Sequence, residues 1–337
     1  MYISKTPLRV SFFGGGTDYP AYFETNPSAV LGGSINKYIY TTALDLASIS
    51  EQKFRISYRV VEDCDSIDDI SHPVIREVLR DADYDIPTGF YTVSDLPGST
   101  GLGSSSSFTV GFINLIETLR EGGDSLPEAS WLTRQAIRIE RDVLGENVGV
   151  QDQTHAAYGG FARYDFNMID DELDIQPTYP KISRGRMTTL NKSMYLVYTD
   201  IQRHASETVS AQITRTRQGS NADYLNTMYE MTRTGQHILE NHRNDVSAIK
   251  DLGALLNQSW MLKQNLGTGV TNAVVDDIYN TGIDMGAYGG KLLGAGGGGF
   301  VMFLLNPYNV PKFRAEFGAN NVIPVSFESS GSFVTSV

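Results

Sequence analysis

The chain has 337 residues, of which 41% are hydrophobic and 20% are charged, a composition typical of folded globular proteins. Its 39 acidic residues outnumber its 27 basic residues and give a formal net charge of -12, which disfavours nucleic acid as a partner because binding its backbone requires many cations. One cysteine, Cys64, is too few for an internal disulfide, and the N-terminal residues lack the long apolar stretch of a secretory signal. We therefore expect a cytoplasmic protein without a membrane span.

The first third of the chain is predicted to be rich in β-strands. Strand-like apolar runs bounded by turn residues occupy residues 8–13, 38–44, 54–61 and 89–93. The first of these runs stops at three consecutive glycines, residues 14–16, which mark a loop. The loop continues into a Thr-Asp pair, Thr17 and Asp18.

Two helices are predicted next along the chain. From Ser104 onward, apolar residues recur at helical spacing, and the pattern ends at Gly122. A second helix is predicted to begin at the capping-box pattern of residues 125–128 and to continue to Gly145. The second helix would carry Glu140.

The C-terminal half is predicted to be mainly helical, with two strands. The patterns indicate strands at residues 194–199 and 300–305 and helices at residues 224–239 and 249–262. A polar, mixed stretch, residues 165–191, separates the two halves. We therefore predict two lobes, residues 1–180 and residues 181–337.

A loop rich in glycine and serine, residues 97–107, predicts a phosphate-binding site. Its glycines let the backbone turn sharply, and the helix that follows directs free N–H groups and its positive dipole end at the same place. The serine hydroxyls add donors for phosphate oxygens or ligands for Mg²⁺. The predicted nucleotide-binding residues are Pro97, Gly98, Gly101, Leu102, Gly103, Ser104, Ser105, Ser106 and Ser107.

Two better-known nucleotide motifs do not fit the chain. A Walker A loop requires a lysine after its second glycine, and Ser104 stands there instead. Residues 294–299 match the glycine spacing of the dinucleotide fingerprint, but they precede a strand and do not open a βαβ unit. The sequence therefore predicts neither a P-loop fold nor a Rossmann fold.

Three separated motifs together resemble the GHMP kinases, the superfamily of galactokinase, homoserine kinase and mevalonate kinase. Residues 7–19, 97–107 and 291–300 are similar to the family's three motifs and occur in the family's order. The resemblance implies an α+β fold of two lobes. The N-terminal lobe would be similar to domain 2 of ribosomal protein S5, and the C-terminal lobe would be α/β. It also implies ATP as phosphate donor and Mg²⁺ as cofactor.

The resemblance assigns roles to four residues of the reaction centre. Ser105 and Glu140 match the family's magnesium ligands, although the serine run leaves the choice between Ser105 and Ser106 open. Asp152 matches the catalytic acidic residue, which either takes the proton of the acceptor hydroxyl or orients that hydroxyl. Arg9 occupies the basic position of the first motif, where a guanidinium would stabilise the transferring phosphoryl group and hold Asp152 ionised.

The acceptor side resembles that of sugar kinases. Asp18 matches an aspartate that binds sugar hydroxyls, and the substrate-binding residues implied are Gly15, Gly16, Thr17, Asp18, Arg203, Gly296 and Gly297. The combined motifs are most similar to the branch of the heptose-phosphate kinases and fucokinases. A phosphorylated acceptor would need a cationic pocket, for which the candidates are Arg203, Lys291, Arg163 and His155.

We therefore expect an ATP-dependent kinase that phosphorylates the anomeric hydroxyl of a heptose 7-phosphate and forms the 1,7-bisphosphate. A fucokinase or another monosaccharide 1-kinase is the alternative within the enzymes. A catalytically silent nucleotide or sugar sensor is the alternative of a different class, and it would lack Arg9, Glu140 or Asp152. The sequence does not predict an oligomeric state.

Overall fold

Two β-sheets, one of eight strands and one of four, organise the fold. The computed structural model describes residues 1–46, 51–123, 127–202 and 206–337. The strands in this part of the chain are β1 (Tyr2–Phe13), β2 (Ser28–Asp45), β3 (Phe54–Ser57), β4 (Val61–Cys64), β5 (Thr88–Ser94), β6 (Phe161–Ile169), β7 (Glu172–Thr178), β8 (Met194–Tyr198), β9 (Ala287–Leu292), β10 (Phe300–Leu305), β11 (Val322–Pro324) and β12 (Phe333–Ser336).

Helices cover both sheets. They are α1 (Pro20–Phe23), α2 (Pro73–Asp81), α3 (Ser104–Arg120), α4 (Ala129–Ile137), α5 (Gln151–Tyr158), α6 (Arg184–Ser193), α7 (Ser206–Arg217), α8 (Ala222–Asn241), α9 (Asp245–Lys263), α10 (Ala273–Asp284) and α11 (Val310–Phe317). A π-helical turn, Arg138–Val143, continues α4. No helix in the described ranges has the length and apolar character needed to cross a membrane.

The eight-stranded sheet belongs mainly to the N-terminal half. Its strand order is β12-β1-β2-β5-β3-β4, and β6 pairs with β2 and with β7. The described strand pairs are antiparallel except β3 with β5. Helix α3 packs on β1 and β2, and most of its residues are buried because its apolar face lies against the sheet. This packing fixes the start of α3 beside the middle of β1.

The four-stranded sheet forms the core of the C-terminal half. Its order is β11-β8-β10-β9, and α9 and α10 pack against it. Strand β10 is buried along its whole length, which explains why its sequence is apolar without alternation. Trp260 of α9 and Phe303 of β10 belong to the same buried cluster.

The chain returns to the first sheet at its end. Strand β12 pairs antiparallel with β1 from Tyr2–Ser336 to Lys5–Phe333. Just before β12, the ring of Phe327 lies 4.7 Å from the ring of Phe161. The larger sheet is therefore completed by residues of the C-terminal half. The division at residue 180 stays a prediction.

Most predicted elements are observed, with two differences. The run predicted as one strand at residues 54–61 forms two short strands, β3 and β4, because the chain turns between them and pairs antiparallel. The second predicted helix begins at Ala129 and changes to a π-helical turn that carries Glu140. The start predicted for it at Ser125 lies outside the described residues. The separating stretch at residues 165–191 holds parts of β6 and α6 and all of β7.

Candidate active site

A cleft of about 1320 Å³ is lined by residues of all three motifs. The predicted site residues that line it are Arg9, Gly15, Gly16, Asp18, Pro97, Gly98, Gly101, Gly103, Ser104, Ser105, Ser106, Asp152 and Gly296. Five others lie outside its lining: Thr17, Leu102, Ser107, Glu140 and Gly297. Arg203 lies outside the described residues.

The phosphate-loop candidate leads into the N-terminus of α3. Gly103 precedes the helix with φ of 73°, in the left-handed region that favours glycine. A Cβ atom there would lie 3.2 Å from the Arg9 side chain and 3.3 Å from the Asp152 carboxyl. The backbone therefore passes directly over these two side chains, at the end of the helix that offers free N–H groups.

The third motif's loop lies against the phosphate loop. Gly101 has φ of 80°, and a Cβ atom there would lie 2.5 Å from the Leu293 carbonyl oxygen. A Cβ atom on Gly299 would lie 2.2 Å from the Thr100 carbonyl oxygen. Gly297 donates its N–H to the Val270 carbonyl at 3.0 Å, which anchors the loop from its other side. Backbone contact between the loops explains why both are rich in glycine.

Two predicted nucleotide-binding residues have structural contacts. The Leu102 carbonyl accepts the Arg9 N–H at 3.0 Å, and Leu102 is buried. The Ser107 hydroxyl donates to the Pro7 carbonyl at 2.8 Å and is also buried. Both residues therefore fasten the loop and α3 to β1, and neither lines the cleft.

Arg9 and Asp152 form a two-bond ion pair on the cleft wall. Arg9 Nε donates to Asp152 Oδ1 at 2.8 Å, and Nη2 donates to Oδ2 at 2.9 Å. Arg9 Nη1 donates to the Gly101 carbonyl at 2.6 Å. The Arg9 side chain is 4% exposed and that of Asp152 is 27% exposed. The guanidinium thus lies behind the carboxylate and links it to the phosphate loop.

Glu140 lies behind the serine run in a shell of hydrogen-bond donors. Its Oε2 accepts from the Ser106 hydroxyl at 2.9 Å and from Gln153, and its Oε1 accepts from the Thr109 hydroxyl at 2.7 Å. Burial raises the pKa of Glu140 to about 7, although these hydrogen bonds act in the opposite direction. Ser106 bridges Glu140 and the cleft, whereas Ser105 is exposed.

The Ser106–Glu140 pair has the chemistry of a magnesium site. A hydroxyl and a carboxylate are the hard oxygen donors that Mg²⁺ prefers, and two protein ligands leave room for phosphate and water. The described residues contain no group of three or more His, Cys, Asp or Glu side chains that could hold a metal by themselves. The pair therefore fits a metal ion shared with a nucleotide.

Asp18 is buried at the end of the glycine loop that follows β1. Its Oδ1 accepts the Gly16 N–H at 2.9 Å, and its Oδ2 accepts the Gln151 N–H at 3.4 Å. Burial raises the pKa of Asp18 to about 6, and the nearby charge of Asp152 adds to this shift. The Thr17 hydroxyl donates to the backbone carbonyls of Gly14 and Ala29, so its contacts shape the loop. Gly15 and Gly16 line the cleft, and a Cβ atom on Gly16 would lie 2.8 Å from the Gln212 side chain.

The three described candidates for a cationic pocket lie in different places. Lys291 lines the cleft and is 2% exposed. Arg163 is paired with Asp165, with Nε donating to Oδ2 at 3.1 Å, and it does not line the cleft. His155 is fully buried on α5 outside the cleft lining, and burial lowers its pKa to about 3. A neutral imidazole there provides no charge for a phosphate.

Sequence reasoning missed two polar residues around Glu140 and one lysine. Thr109 stands one helical turn after Ser106, so its position on the same face of α3 was available from the spacing. Gln153 follows Asp152, but its orientation towards Glu140 depends on how α5 packs. Lys263 ends an amphipathic helix, where a lysine usually faces solvent, and yet it is buried and lines the cleft.

Comparisons with known proteins identify the family and the fold of the chain. Residues 71–160 match the family model described as GHMP kinases N terminal domain, and residues 238–322 match that described as GHMP kinases C terminal. The chain is 30% identical over 338 residues to the D-glycero-alpha-D-manno-heptose 7-phosphate kinase of Campylobacter jejuni subsp. jejuni serotype O:2, with 94% of each chain covered. It is 24% identical to the bifunctional fucokinase/GDP-fucose pyrophosphorylase of Arabidopsis thaliana, over 89% of this chain and 29% of that protein.

Solved structures share the fold. The crystal structure of a D-glycero-D-manno-heptose 1-phosphate kinase from Bacteroides thetaiotaomicron matches with a TM-score of 0.76 and 24% identity, covering 100% of this chain and 99% of that one. The Lactococcus lactis galactokinase complexed with galactose matches with a TM-score of 0.69 and 19% identity, covering 98% and 94%. The two-lobed α+β fold expected from the three motifs is confirmed, and the chain belongs to the GHMP kinase family.

Proposed function

We propose that this protein transfers the γ-phosphate of ATP, with Mg²⁺, to the anomeric hydroxyl of a heptose phosphate. The reaction class follows from the family, and the acceptor class is that in the name of the Campylobacter jejuni relative. The substrate of this chain and the roles of its residues are our inference.

The Arg9–Asp152 pair is the observation that carries the proposal. It lies beneath Gly103, where the phosphate loop meets the helix N-terminus, and Asp152 faces the cleft. Both carboxylate oxygens accept from Arg9, but each keeps a further lone pair. Asp152 is therefore able to accept the proton of the acceptor hydroxyl while it remains bound to Arg9. The guanidinium adds positive charge where the phosphoryl group passes.

The donor side is assigned to the phosphate loop and the Ser106–Glu140 pair. The N–H groups at the start of α3 and the exposed hydroxyl of Ser105 would bind the phosphates of ATP. Ser106 and Glu140 would hold Mg²⁺, which neutralises charge on the phosphates when it is bound. Of the two serines that the sequence left open, Ser106 is favoured because its hydroxyl contacts Glu140.

The acceptor side is assigned to the loop of Gly15, Gly16 and Asp18. The Asp18 oxygens that bind backbone N–H groups keep lone pairs able to accept from sugar hydroxyls. At Gly15 a Cβ atom would lie 3.5 Å from the Ser11 hydroxyl, and the lack of a side chain there leaves room for a sugar. A catalytically silent sensor is disfavoured because Arg9, Glu140 and Asp152 are all present and have close polar contacts.

A panel of acceptors tests the proposal. ADP release with Mg-ATP would be measured with D-glycero-D-manno-heptose 7-phosphate, the unphosphorylated heptose, L-fucose and D-galactose. We expect the heptose phosphate to give the highest kcat/KM. A clear preference for fucose or galactose would replace the proposed acceptor, and no stimulation by any sugar would overturn the sugar kinase assignment.

A further inference from the structure

Two buried lysines line the same cleft and have no part in the proposed donor site. Lys263 ends α9 and is 7% exposed, and Lys291 lies on β9 and is 2% exposed. A buried ammonium is unfavourable because it loses its hydration, so buried lysines are rare unless an anion or a set of acceptors compensates them. Two such groups in one cleft therefore require an explanation.

The described residues satisfy only part of the hydrogen-bonding capacity of the pair. Lys291 Nζ donates to the Phe12 carbonyl at 3.0 Å, and Lys263 Nζ donates to the carbonyls of Leu292, at 3.0 Å, and Gly294. The two ammonium groups have six N–H donors and make three bonds, which leaves three donors without a partner in the described part of the chain. These backbone carbonyls position the lysines without neutralising them.

The charge of the pair is also uncompensated. Within residues 1–46, 51–123, 127–202 and 206–337, neither lysine forms an ion pair with a carboxylate, and Asp152 is already bound by Arg9. Burial lowers the pKa of Lys263 well below its usual range, the positive charges of Lys291 and Arg9 act in the same direction, and Asp18 opposes them. Burial, together with Arg9, lowers the pKa of Lys291 to about 7. A bound dianion would supply the missing negative charge and accept the unused N–H groups.

The lysines lie on the acceptor side of the cleft. Phe12, which Lys291 contacts, is two residues before the glycine loop that carries Gly16. Lys263 is three residues before Leu266, whose side chain would lie 3.4 Å from a Cβ atom on Gly16. The donor phosphates are assigned to the N-terminus of α3, and Lys263 also bonds to the Gly294 carbonyl in the third motif's loop, which lies against the phosphate loop. We therefore assign an anion at the lysines to the acceptor, and the test below distinguishes it from the phosphoryl group in transit.

We propose that Lys263 and Lys291 bind a phosphate group carried by the sugar acceptor and so select phosphorylated sugars over neutral ones. This inference rests on the proposed function. It names the part of the site that recognises the phosphate already present on the acceptor. The phosphoryl group that passes from ATP to the sugar would bind lysines in the same way. The experiment distinguishes it from the phosphate already present on the acceptor.

The test compares two acceptors in lysine variants. The variants are Lys263→Met, Lys291→Met and the double variant, which keep the length of the side chain and remove its charge. The matched control is Lys250→Met, on the exposed face of α9. We expect kcat/KM for the heptose 7-phosphate to fall at least tenfold in each cleft variant. The KM for ATP and the kcat/KM for the unphosphorylated heptose should change less than threefold. An equal loss with both acceptors would assign the lysines to the phosphoryl group in transit and overturn the proposal, as would no loss.

A binding measurement keeps the inference separate from the proposed function. With Mg-ADP in excess to fill the donor site, inorganic phosphate should raise the melting temperature of the wild-type protein and of Lys250→Met. It should not raise that of the double variant, whose own melting temperature reports whether it is folded. Equal stabilisation of all three proteins, or of none, would overturn the lysine site. If the wild type binds phosphate but phosphorylates no sugar, the proposed function fails and the anion site stands.

Discussion

Asp152 illustrates how a residue's role depends on its partner. Alone, an aspartate in the first turn of a helix is an ordinary capping residue, but two bonds from a buried arginine fix its carboxylate towards the cleft. Because the pair also bonds to Gly101, the position of the carboxylate is tied to the phosphate loop. Its orientation, not its charge alone, makes it suited to act on an acceptor hydroxyl.

Replacing Asp152 should separate binding from turnover. Asp152→Asn keeps the size of the side chain and removes a proton acceptor, so we expect kcat to fall by a factor of about 10² to 10⁴. Nucleotide affinity, measured by calorimetry with Mg-ADP, should stay within about threefold of wild type. Asp142→Asn, at an exposed aspartate of the π-helical turn, is the control. Unchanged turnover in Asp152→Asn would remove this residue from the catalytic centre.

The buried carboxyl of Asp18 predicts a pH-dependent effect on stability. Its pKa rises from 3.8 to about 6 on folding, so the folded state binds the extra proton between these values. Its stabilising contribution is therefore complete below about pH 3.8 and is lost as pH rises through about 6. At about 1.4 kcal/mol for each pKa unit, the loss is up to about 3 kcal/mol.

Asp18→Asn should remove this dependence because the amide does not titrate. We expect the free energy of unfolding of the variant, relative to wild type, to increase between pH 4 and pH 7, as measured by urea denaturation at each pH. A difference that is constant over this range would show that Asp18 is already ionised in the folded protein. In activity assays the same variant should bind the acceptor more weakly and show a higher KM for the sugar.

At the scale of elements, backbone contact between two loops builds the donor site. The phosphate loop and the third motif's loop approach so closely that side chains are excluded at Gly101 and Gly294. Residues nearly 200 positions apart in the sequence therefore determine one surface. A substitution in either loop should therefore change the KM for ATP.

Gly101→Ala tests this contact, and Gly122→Ala is matched to it. Both glycines have positive φ, but a Cβ atom meets the Leu293 carbonyl oxygen at position 101 and nothing within 4 Å at position 122. Both variants should lose about 1–2 kcal/mol of stability from backbone strain, and Gly101→Ala should lose more because its Cβ atom would also clash with the backbone at Leu293. Only Gly101→Ala should also raise the KM for ATP, by about tenfold or more. Equal KM values in the two variants would mean that the loop contact does not shape the nucleotide site.

The sequence predicted elements well where one physical signal dominated. Helix α3 has a regular apolar spacing and a glycine at each end, and β10 is a short apolar run after glycines, so both were predicted close to their observed bounds. The split of residues 54–61 into β3 and β4 results from a turn and their antiparallel pairing, and the apolar run alone did not indicate where that turn lies. The π-helical turn around Glu140 was likewise not indicated by periodicity.

The site residues also divide into those that the sequence identified and those that it did not. Arg9 and Asp18 lie in the first motif, Asp152 matches a family position between the second and third motifs, and the resemblance brought the three together before their geometry was known. Lys263 lies in no motif, and its burial results from packing of α9 against β9. Its sequence position indicates a solvent-facing helix end. Residues that act through tertiary placement alone are those the sequence could not reveal.

At the scale of the whole molecule, the C-terminal segment closes the N-terminal sheet. The Asn36 N–H donates to the Ser326 carbonyl at 2.9 Å, and the Gly160 N–H donates to the Glu328 carbonyl at 2.8 Å. Phe327 packs between Phe12 and Phe161, next to the strand that carries Arg9. Stability of the catalytic centre thus depends on residues from the opposite end of the chain.

A chain that ends at Val325 should be clearly less stable. It loses strand β12 and the half-buried Phe327 ring, which packs against Phe12 and Phe161. We expect a fall of at least about 5 °C in the melting temperature measured by circular dichroism. Removal of Val337 alone, which is 77% exposed, should change it by about 1 °C or less. Equal melting temperatures would show that the C-terminal segment contributes little to the larger sheet.

The position of the new phosphate provides a decisive test of the whole arrangement. The product formed from heptose 7-phosphate and Mg-ATP would be analysed by phosphorus and proton NMR. We expect a second phosphorus signal that couples to the anomeric proton, with the original phosphate unchanged. A phosphate on any other oxygen, or no sugar product at all, would contradict the placement of the acceptor's anomeric hydroxyl beside Asp152.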